Sequence, residues 1–293
     1  MEGLGLGWES LHARHPGLIY LAINGFGNDG PYAELPAYDM VMQGLIGLMP
    51  EQGGEGPPRL VQGSVADKST SLTAVNAVLA ALLARERDPE RRGQRVEVAM
   101  LDAYAAFALP EAMISRAFPP LEGDAGSSAD FFRCWETADG YVVGVIIQDA
   151  QFAGLCRALD RPDLAGDPRF EKMGPRFQHY SELVPLLARE IRLHESAPFL
   201  ARARAEGAPF APVNDVEGFL DDPHVRHRES VIEAEDPRFG RVRYLAPPIR
   251  FGRTPARIER HAPRLGEHTD EVLQELGIEP ETIARLREAG TVR

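Results

Sequence analysis

Cysteine is nearly absent: Cys134 and Cys156 are the only two in 293 residues. Two thiols cannot staple a small secreted scaffold, and a reducing cytoplasm is the simplest compartment for the chain. A positive surplus is absent too. The net charge is -12 and no long basic run occurs, which excludes the phosphate-neutralising footprint of a nucleic-acid binder. No stretch reaches the roughly 18 apolar residues of a membrane-spanning helix, so no membrane partner is expected. The opening MEGLGLGWESLHARHPG lacks the basic segment and apolar core of a secretion signal. Catalytic and metal signatures are missing as well. None of the eight histidines stands in H-E-x-x-H, and C-x-x-C, G-x-x-x-x-G-K-[ST] and G-x-S-x-G do not occur. A resident metal, P-loop chemistry and a serine nucleophile are therefore not expected. His224 and His227 read as solvated side chains beside Asp221 and Asp222 rather than as ligands.

What is present is an ordinary globular composition, 44% hydrophobic and 26% charged, at a length suited to one large or two modest domains. Glycine and proline punctuate it. LIYLAI at 18–23 is a short unalternating apolar run, the pattern of a parallel strand buried on both faces. NGFGNDGPYAELPAYD follows and reads as a loop. Loops at the carboxyl ends of parallel strands are where α/β proteins bind ligands. GFGNDG has the wrong spacing for a dinucleotide fingerprint. Residues 39–49 read as one helix, weakened by Gly44 and Gly47.

The clearest helix spans Ser64 to Arg87. Ser64 and Asp67 form an S-x-x-D capping pattern. Leu72, Val75, Leu79, Leu82 and Leu83 recur at helical spacing. Lys68 is the only charge between Asp67 and Arg85, so most of the helix is expected to be buried. Arg85, Arg87, Arg91 and Arg92 read as a solvated helix end. RVEVAML at 95–101 reads as a strand, and Asp102 opens a helix to Ile114. Past Phe118, PPLEGDAGSSAD reads as a linker or mobile loop. FFRCWETADGYVVGVII then reads as a β-hairpin turning at ADG. Helices are expected near 149–159 and 181–206, one more strand in RVRYLAPPIRF, and short amphipathic helices from Thr269 to Arg293.

One residue in this pattern has two readings. An acid in the first turn of a helix, such as Asp67, complements the dipole and caps free N–H groups. The same geometry serves chemistry. N–H groups at a helix start can hold a developing oxyanion, and a positioned carboxylate can be a covalent nucleophile. Gly63, Ser64, Ala66 and Ser69 would leave room for a bulky substrate. Spacing alone does not choose between them.

Four stretches carry a resemblance: GFGNDGPYAELPAYDMVMQGLIGLM, GSVADKSTSLTAVNAVLAALLARERDPERRGQRVEVAMLDA, APVNDVEGFLDDPHV and APRLGEHTDEVLQELG. Together they resemble the class III CoA-transferases of the CaiB–BaiF group, in order and spacing, from Gly3 to the C-terminus. The resemblance implies that Asp67 is the nucleophile, taking an acyl group from an acyl-CoA as a mixed anhydride and then CoA as an aspartyl thioester. Asp67 must then be ionised and shielded from water. It implies that Tyr38 packs beside the thioester and that Gly123 and Gly126 belong to a glycine loop over the intermediates. No bound cofactor is implied. The partners are an acyl-CoA substrate and a carboxylic acid acceptor. α-Methylacyl-CoA racemases share the fold but carry His where this chain has Tyr38. A phenol, with an ordinary pKa of about 10, is a poor substitute base.

The fold implied is α/β: an incomplete Rossmann-like parallel-sheet large domain at 1–118, a glycine-containing linker at 119–129 and a smaller α+β domain at 130–225. A segment at 226–293 returns to the large domain, and the assembly is an interlocked homodimer. Relatives begin with further Rossmann units that have no counterpart before Gly3. The expectation is therefore a fragment, a misplaced gene start or one member of a split pair needing a separate N-terminal chain. The competing functional expectations are a racemase-like enzyme and a non-catalytic subunit.

Overall fold

The structure is a computed structural model and describes residues 1–54, 56–113, 116–117 and 132–293. The linker at 119–129, with Gly123 and Gly126, lies outside the described residues. The chain divides into two compact units, Met1–Arg133 with Gln178–Val184, and Cys134–Phe177 with Pro185–Arg293.

The first unit opens with α1 (Trp8–Arg14) and β1 (Tyr20–Asn24). Two short helices follow, α2 (Asp39–Leu45) and α3 (Leu48–Gly53). The long α4 (Val65–Arg87) leads into β2 (Arg95–Ala99), α5 (Met100–Ala108) and α6 (Pro110–Met113). β1 and β2 pair in parallel, from Tyr20 opposite Arg95 to Asn24 opposite Ala99. The unit is thus α/β, with helices packed on a parallel pair of strands. β1 is only half-buried, and Ile23 is 52% exposed. A double-sided core strand was expected from LIYLAI. Its sheet has two strands among the described residues, which cover less of its faces than a wide sheet would.

Local chemistry accounts for two breaks that periodicity misses. Residues 39–49 form two helices because Gly47 takes φ +85°, a left-handed conformation that ends α2 and suits glycine. α5 stops at Ala108 because Pro110 has no N–H to continue the ladder and starts α6 instead.

α4 inverts the expected burial. Its buried residues are small: Ala66, Ser69, Thr70, Ala74 and Ala81. Leu72, Val75, Leu79 and Leu83 are all more than half exposed. Small side chains let the helix lie close to α5 and β2. A helical period reveals two faces without saying which one is packed. The core beneath joins Met42, Ile46, Ala66 and Tyr104, with Phe26, Ala37 and Leu101 packed against them. Fully burying a side chain such as Met42 contributes about 1.5–3 kcal/mol.

The second unit starts with an antiparallel sheet of β3 (Cys134–Glu136), β4 (Tyr141–Gly144) and β5 (Phe210–Pro212). β3 and β4 form the expected hairpin, closed at ADG by Thr137 N–H donating to Gly140 C=O at 2.9 Å. Helices α7 (Asp149–Ala158), α8 (Pro162–Ala165), α9 (Met173–Gln178), α10 (Tyr180–Ile191) and α11 (Ser196–Ala205) lie between β4 and β5. The division between units crosses α10 at Pro185. The helical stretch expected near 181–206 is two helices, α10 and α11, with the break between Ile191 and Ser196. α12 (Val216–Asp221) and α13 (Pro223–His227) precede the hairpin of β6 (Val231–Asp236) and β7 (Gly240–Leu245). α14 (Thr269–Glu275) and α15 (Pro280–Glu288) finish the chain.

Here the bulky residues point inward: Trp135, Val142, Phe152, Leu155, Phe170 and Phe199 are buried. Arg176 is buried with them, donating to the carbonyls of Phe170 and Ile147 and lying 4.8 Å from the Phe152 ring centre. Both cysteines are free. Burial pushes the Cys156 thiol up to about 12, so it behaves as a core side chain and not as a nucleophile.

Candidate active site

The carboxyl ends of β1 and β2 set the position of everything at the site. β1 ends at Asn24, whose side-chain oxygen accepts the Gly27 N–H at 2.6 Å. Glu97, on β2, accepts the Asn28 N–H at 2.9 Å. Gly25 allows the loop to fold back, because a Cβ there would run into the Ala37 methyl. Its carbonyl accepts the Leu101 N–H of α5 at 3.0 Å. The loop is thereby fastened to both strands and to α5, and it delivers Tyr38 and Asp39 to the start of α2.

Asp39 then reaches the start of α4. Its Oδ2 accepts the N–H of Ala66 at 2.7 Å and of Asp67 at 3.3 Å. Ser64 stands at the N-cap position but makes no side-chain cap bond, so the expected S-x-x-D box does not form. The remaining early donors are satisfied by backbone: Val65 N–H by Gly63 C=O and Lys68 N–H by Ser64 C=O, at 3.0 and 3.1 Å. Every N–H of the first turn is therefore spoken for. The oxyanion reading of this helix start is overturned, since the donors it needs already hold the Asp39 carboxylate. The cap reading of Asp67 is overturned for the same reason.

Asp67 is left exposed and lines a cleft of about 370 Å³. Tyr38, Asp39, Gln43, Val61 and Gly63 line the same cleft. Tyr38 is 70% exposed, so it is no core residue and presents its ring at the mouth. Gly63 takes φ +101°, a turn that a side chain would strain, and the Lys68 ammonium lies 3.8 Å from where its Cβ would stand. Lys68 makes no ion pair among the described residues. Burial, with the charge of Asp39 added, pushes the Tyr104 phenol beneath the site above its ordinary range.

Asp39 and Gln43 were not singled out from sequence. AYDM was visible as a helix start, and D-x-x-x-Q has the i,i+4 spacing of a side-chain pair. Nothing local connects them to residues 61 or 66. The arginines in the last turn of α4 and just beyond it serve the surface: Arg92 pairs with Asp88 at 2.7 Å, Arg91 with Glu86, and Arg85 donates to the Gly17 carbonyl. Among the described residues no group of three or more His, Cys, Asp or Glu could hold a metal, and no helix is long and apolar enough to cross a membrane.

Comparison with known proteins agrees with this architecture. A succinate–glutarate CoA-transferase of Agrobacterium fabrum is 33% identical over 285 residues, covering 96% of this chain and 70% of the relative. A succinyl-CoA–D-citramalate CoA-transferase of Chloroflexus aurantiacus is 30% identical, covering 98% and 72%. The crystal structure of a CaiB/BaiF family protein from Brucella suis superposes with a TM-score of 0.73 at 32% identity, covering 94% of this chain and 72% of that one. The chain thus spans about seven tenths of the length of these proteins. The family model for CoA-transferase family III matches residues 1–269, and with relatives this similar along nearly its whole length the chain belongs to CoA-transferase family III.

Proposed function

We propose that the protein moves coenzyme A between carboxylic acids, with Asp67 as the covalent nucleophile. One observation carries the reading. The acid at the start of α4 is relieved of the capping role its position would give it and faces a cleft instead. A carboxylate freed from capping, in a cleft lined also by an exposed aromatic residue, supports attack by Asp67.

The steps balance as acyl transfers. The Asp67 carboxylate attacks the thioester carbonyl of the donor; the C–S bond breaks, CoA leaves as thiolate, and a mixed anhydride remains. The thiolate attacks the aspartyl carbonyl of that anhydride, releasing the donor acid and leaving an aspartyl-CoA thioester. The acceptor carboxylate displaces CoA to form a second anhydride. CoA thiolate then attacks the acceptor's acyl carbon, giving the new acyl-CoA and regenerating Asp67. Each step pairs a modest nucleophile with an activated acyl group, thioester or anhydride, and the covalent intermediates let donor and acceptor react in turn at one carboxylate. The anhydrides must be kept from water. Asp67 is exposed without substrate, so the bound thioester and the Tyr38 ring at the mouth supply that cover.

Succinate, glutarate and D-citramalate in the relatives' names are all dicarboxylic. We infer the same substrate class here. Lys68, beside Gly63 of the cleft and without an ion pair among the described residues, supports it as a cation for the carboxylate that does not react. The test is intact-mass spectrometry of the protein after incubation with succinyl-CoA and a hydroxylamine quench. Hydroxylamine converts an activated aspartyl group to a hydroxamate, adding about 15 mass units. The gain is expected in wild type, on the peptide holding Asp67, and not in Asp67→Ala. No gain in wild type, or the same gain in both proteins, would rule the nucleophile out.

A further inference from the structure

The hydrogen bonds of Asp39 continue past α4 into a third segment. Oδ1 of Asp39 accepts from Nε2 of Gln43 at 2.6 Å. Gln43 is 2% exposed, and its amide grips the backbone of Val61 from both sides. Oε1 accepts the Val61 N–H at 2.9 Å, and Nε2 donates to the Val61 carbonyl at 3.2 Å. One side-chain pair thus ties α2 to the turn before α4 and to the first turn of α4, on either side of Gly63 and Ser64.

We propose that Asp39 and Gln43 are positioning residues that set where the Asp67 carboxylate stands. The inference rests on Asp67 being the nucleophile. The polarity of the relay explains its residue types. Both oxygens of a carboxylate accept, one toward α4 and one toward Gln43, while the Gln43 amide must donate to Asp39 and accept from Val61. An asparagine at position 39 would turn an NH₂ group toward another donor, either Gln43 or the α4 amides. Flipping the Gln43 amide to meet it leaves the Val61 N–H without an acceptor. No orientation satisfies all three segments. Replacing Gln43 by glutamate at the same time restores the bonds to position 39 and to the Val61 N–H, and gives up only the donation to the Val61 carbonyl. The asparagine amide then donates to the new carboxylate, which still accepts from the Val61 N–H. Displacement of a reacting group by about 1 Å costs on the order of a hundredfold in rate, so a loosened relay acts on the chemical step more than on binding.

The experiment compares the full chain as wild type, Asp39→Asn, and Asp39→Asn combined with Gln43→Glu. Amide hydrogen exchange is measured on the peptide covering Ala66 and Asp67, and the hydroxylamine-trapped mass gain is timed against succinyl-CoA concentration. In Asp39→Asn, exchange at Ala66 and Asp67 rises about tenfold. The trapping rate at saturation falls about a hundredfold, while the half-saturating concentration stays within about threefold. The double variant recovers both to within about tenfold of wild type. Unchanged exchange in Asp39→Asn overturns the relay. Raised exchange with an unchanged trapping rate overturns its positioning role. A double variant as slow as the single one overturns the polarity argument and assigns the effect to the lost charge. If wild type never takes up the label, the nucleophile reading fails and the positioning role with it, whatever the exchange shows. Should Asp39→Asn not fold, Gln43→Met releases Val61 and the Oδ1 of Asp39 while leaving the α4 amides on Oδ2. It is expected to slow trapping while exchange at Ala66 stays as in wild type, and full-rate trapping in it overturns the proposal.

Discussion

Helices α4 and α13 both begin on a carboxylate, and they obtain it differently. α13 uses its own N-cap: Asp222 accepts the N–H groups of His224 and Val225 at 2.8 and 3.1 Å. α12 does the same with Asp215 and Gly218 at 2.7 Å. α4 has a serine at the N-cap and an aspartate in its first turn, yet both of its free donors go to Asp39, 27 residues upstream of Ala66. The difference separates two uses of the same residue type. Asp222 is consumed by the backbone it starts. Asp67, relieved by another acid, stays out of the cap.

The largest expected effect comes from breaking that separation. Asp67→Ala is expected to lower CoA transfer by on the order of a thousandfold or more, with the melting temperature within about 1 °C of wild type because no cap is lost. Steady-state kinetics beside a thermal scan would check this, and a drop of several degrees would put Asp67 back among the caps. Lys68→Met sharpens the picture of the freed first turn. It is expected to raise the KM for a dicarboxylate about tenfold, the value of one charge-assisted contact, and to leave a monocarboxylate of similar length unaffected. Asp222→Ala tests the other side of the comparison. It should cost about 1 kcal/mol, read by urea denaturation, with kcat unchanged. Ser64→Ala is expected to do least, staying within about 0.5 kcal/mol, since the hydroxyl makes no cap bond.

Much of this architecture is legible before folding. The hairpin around Ala138–Gly140, the helix from residue 65 to 87 and the paired helices at the C-terminus follow from period and turn chemistry. Asp67 is singled out only by the four resembling stretches, since its spacing alone reads equally as a cap. What escapes is whatever depends on distance along the chain. The Asp39 cap and the Gln43 grip on Val61 join residues 27 and 18 apart, and no local propensity encodes such a bond. The burial of α4 escapes for another reason. Leu72, Val75, Leu79 and Leu83 announce an apolar stripe, while the packed face is drawn by alanine, serine and threonine, whose hydropathy is too weak to stand out. Gly47 lies between these cases: a glycine inside a helical pattern is visible, but its positive φ is known only from the folded backbone.

The distant cap also bears on timing. Closing a loop of this length costs about 3 kcal/mol in chain entropy, which the burial of Met42, Ile46 and Tyr104 against Ala66 must offset before Asp39 can hold its place. Until that core has condensed, the Ala66 and Asp67 amides lack the acceptor that Asp39 supplies, so their protection from hydrogen exchange reports when the first unit has finished folding.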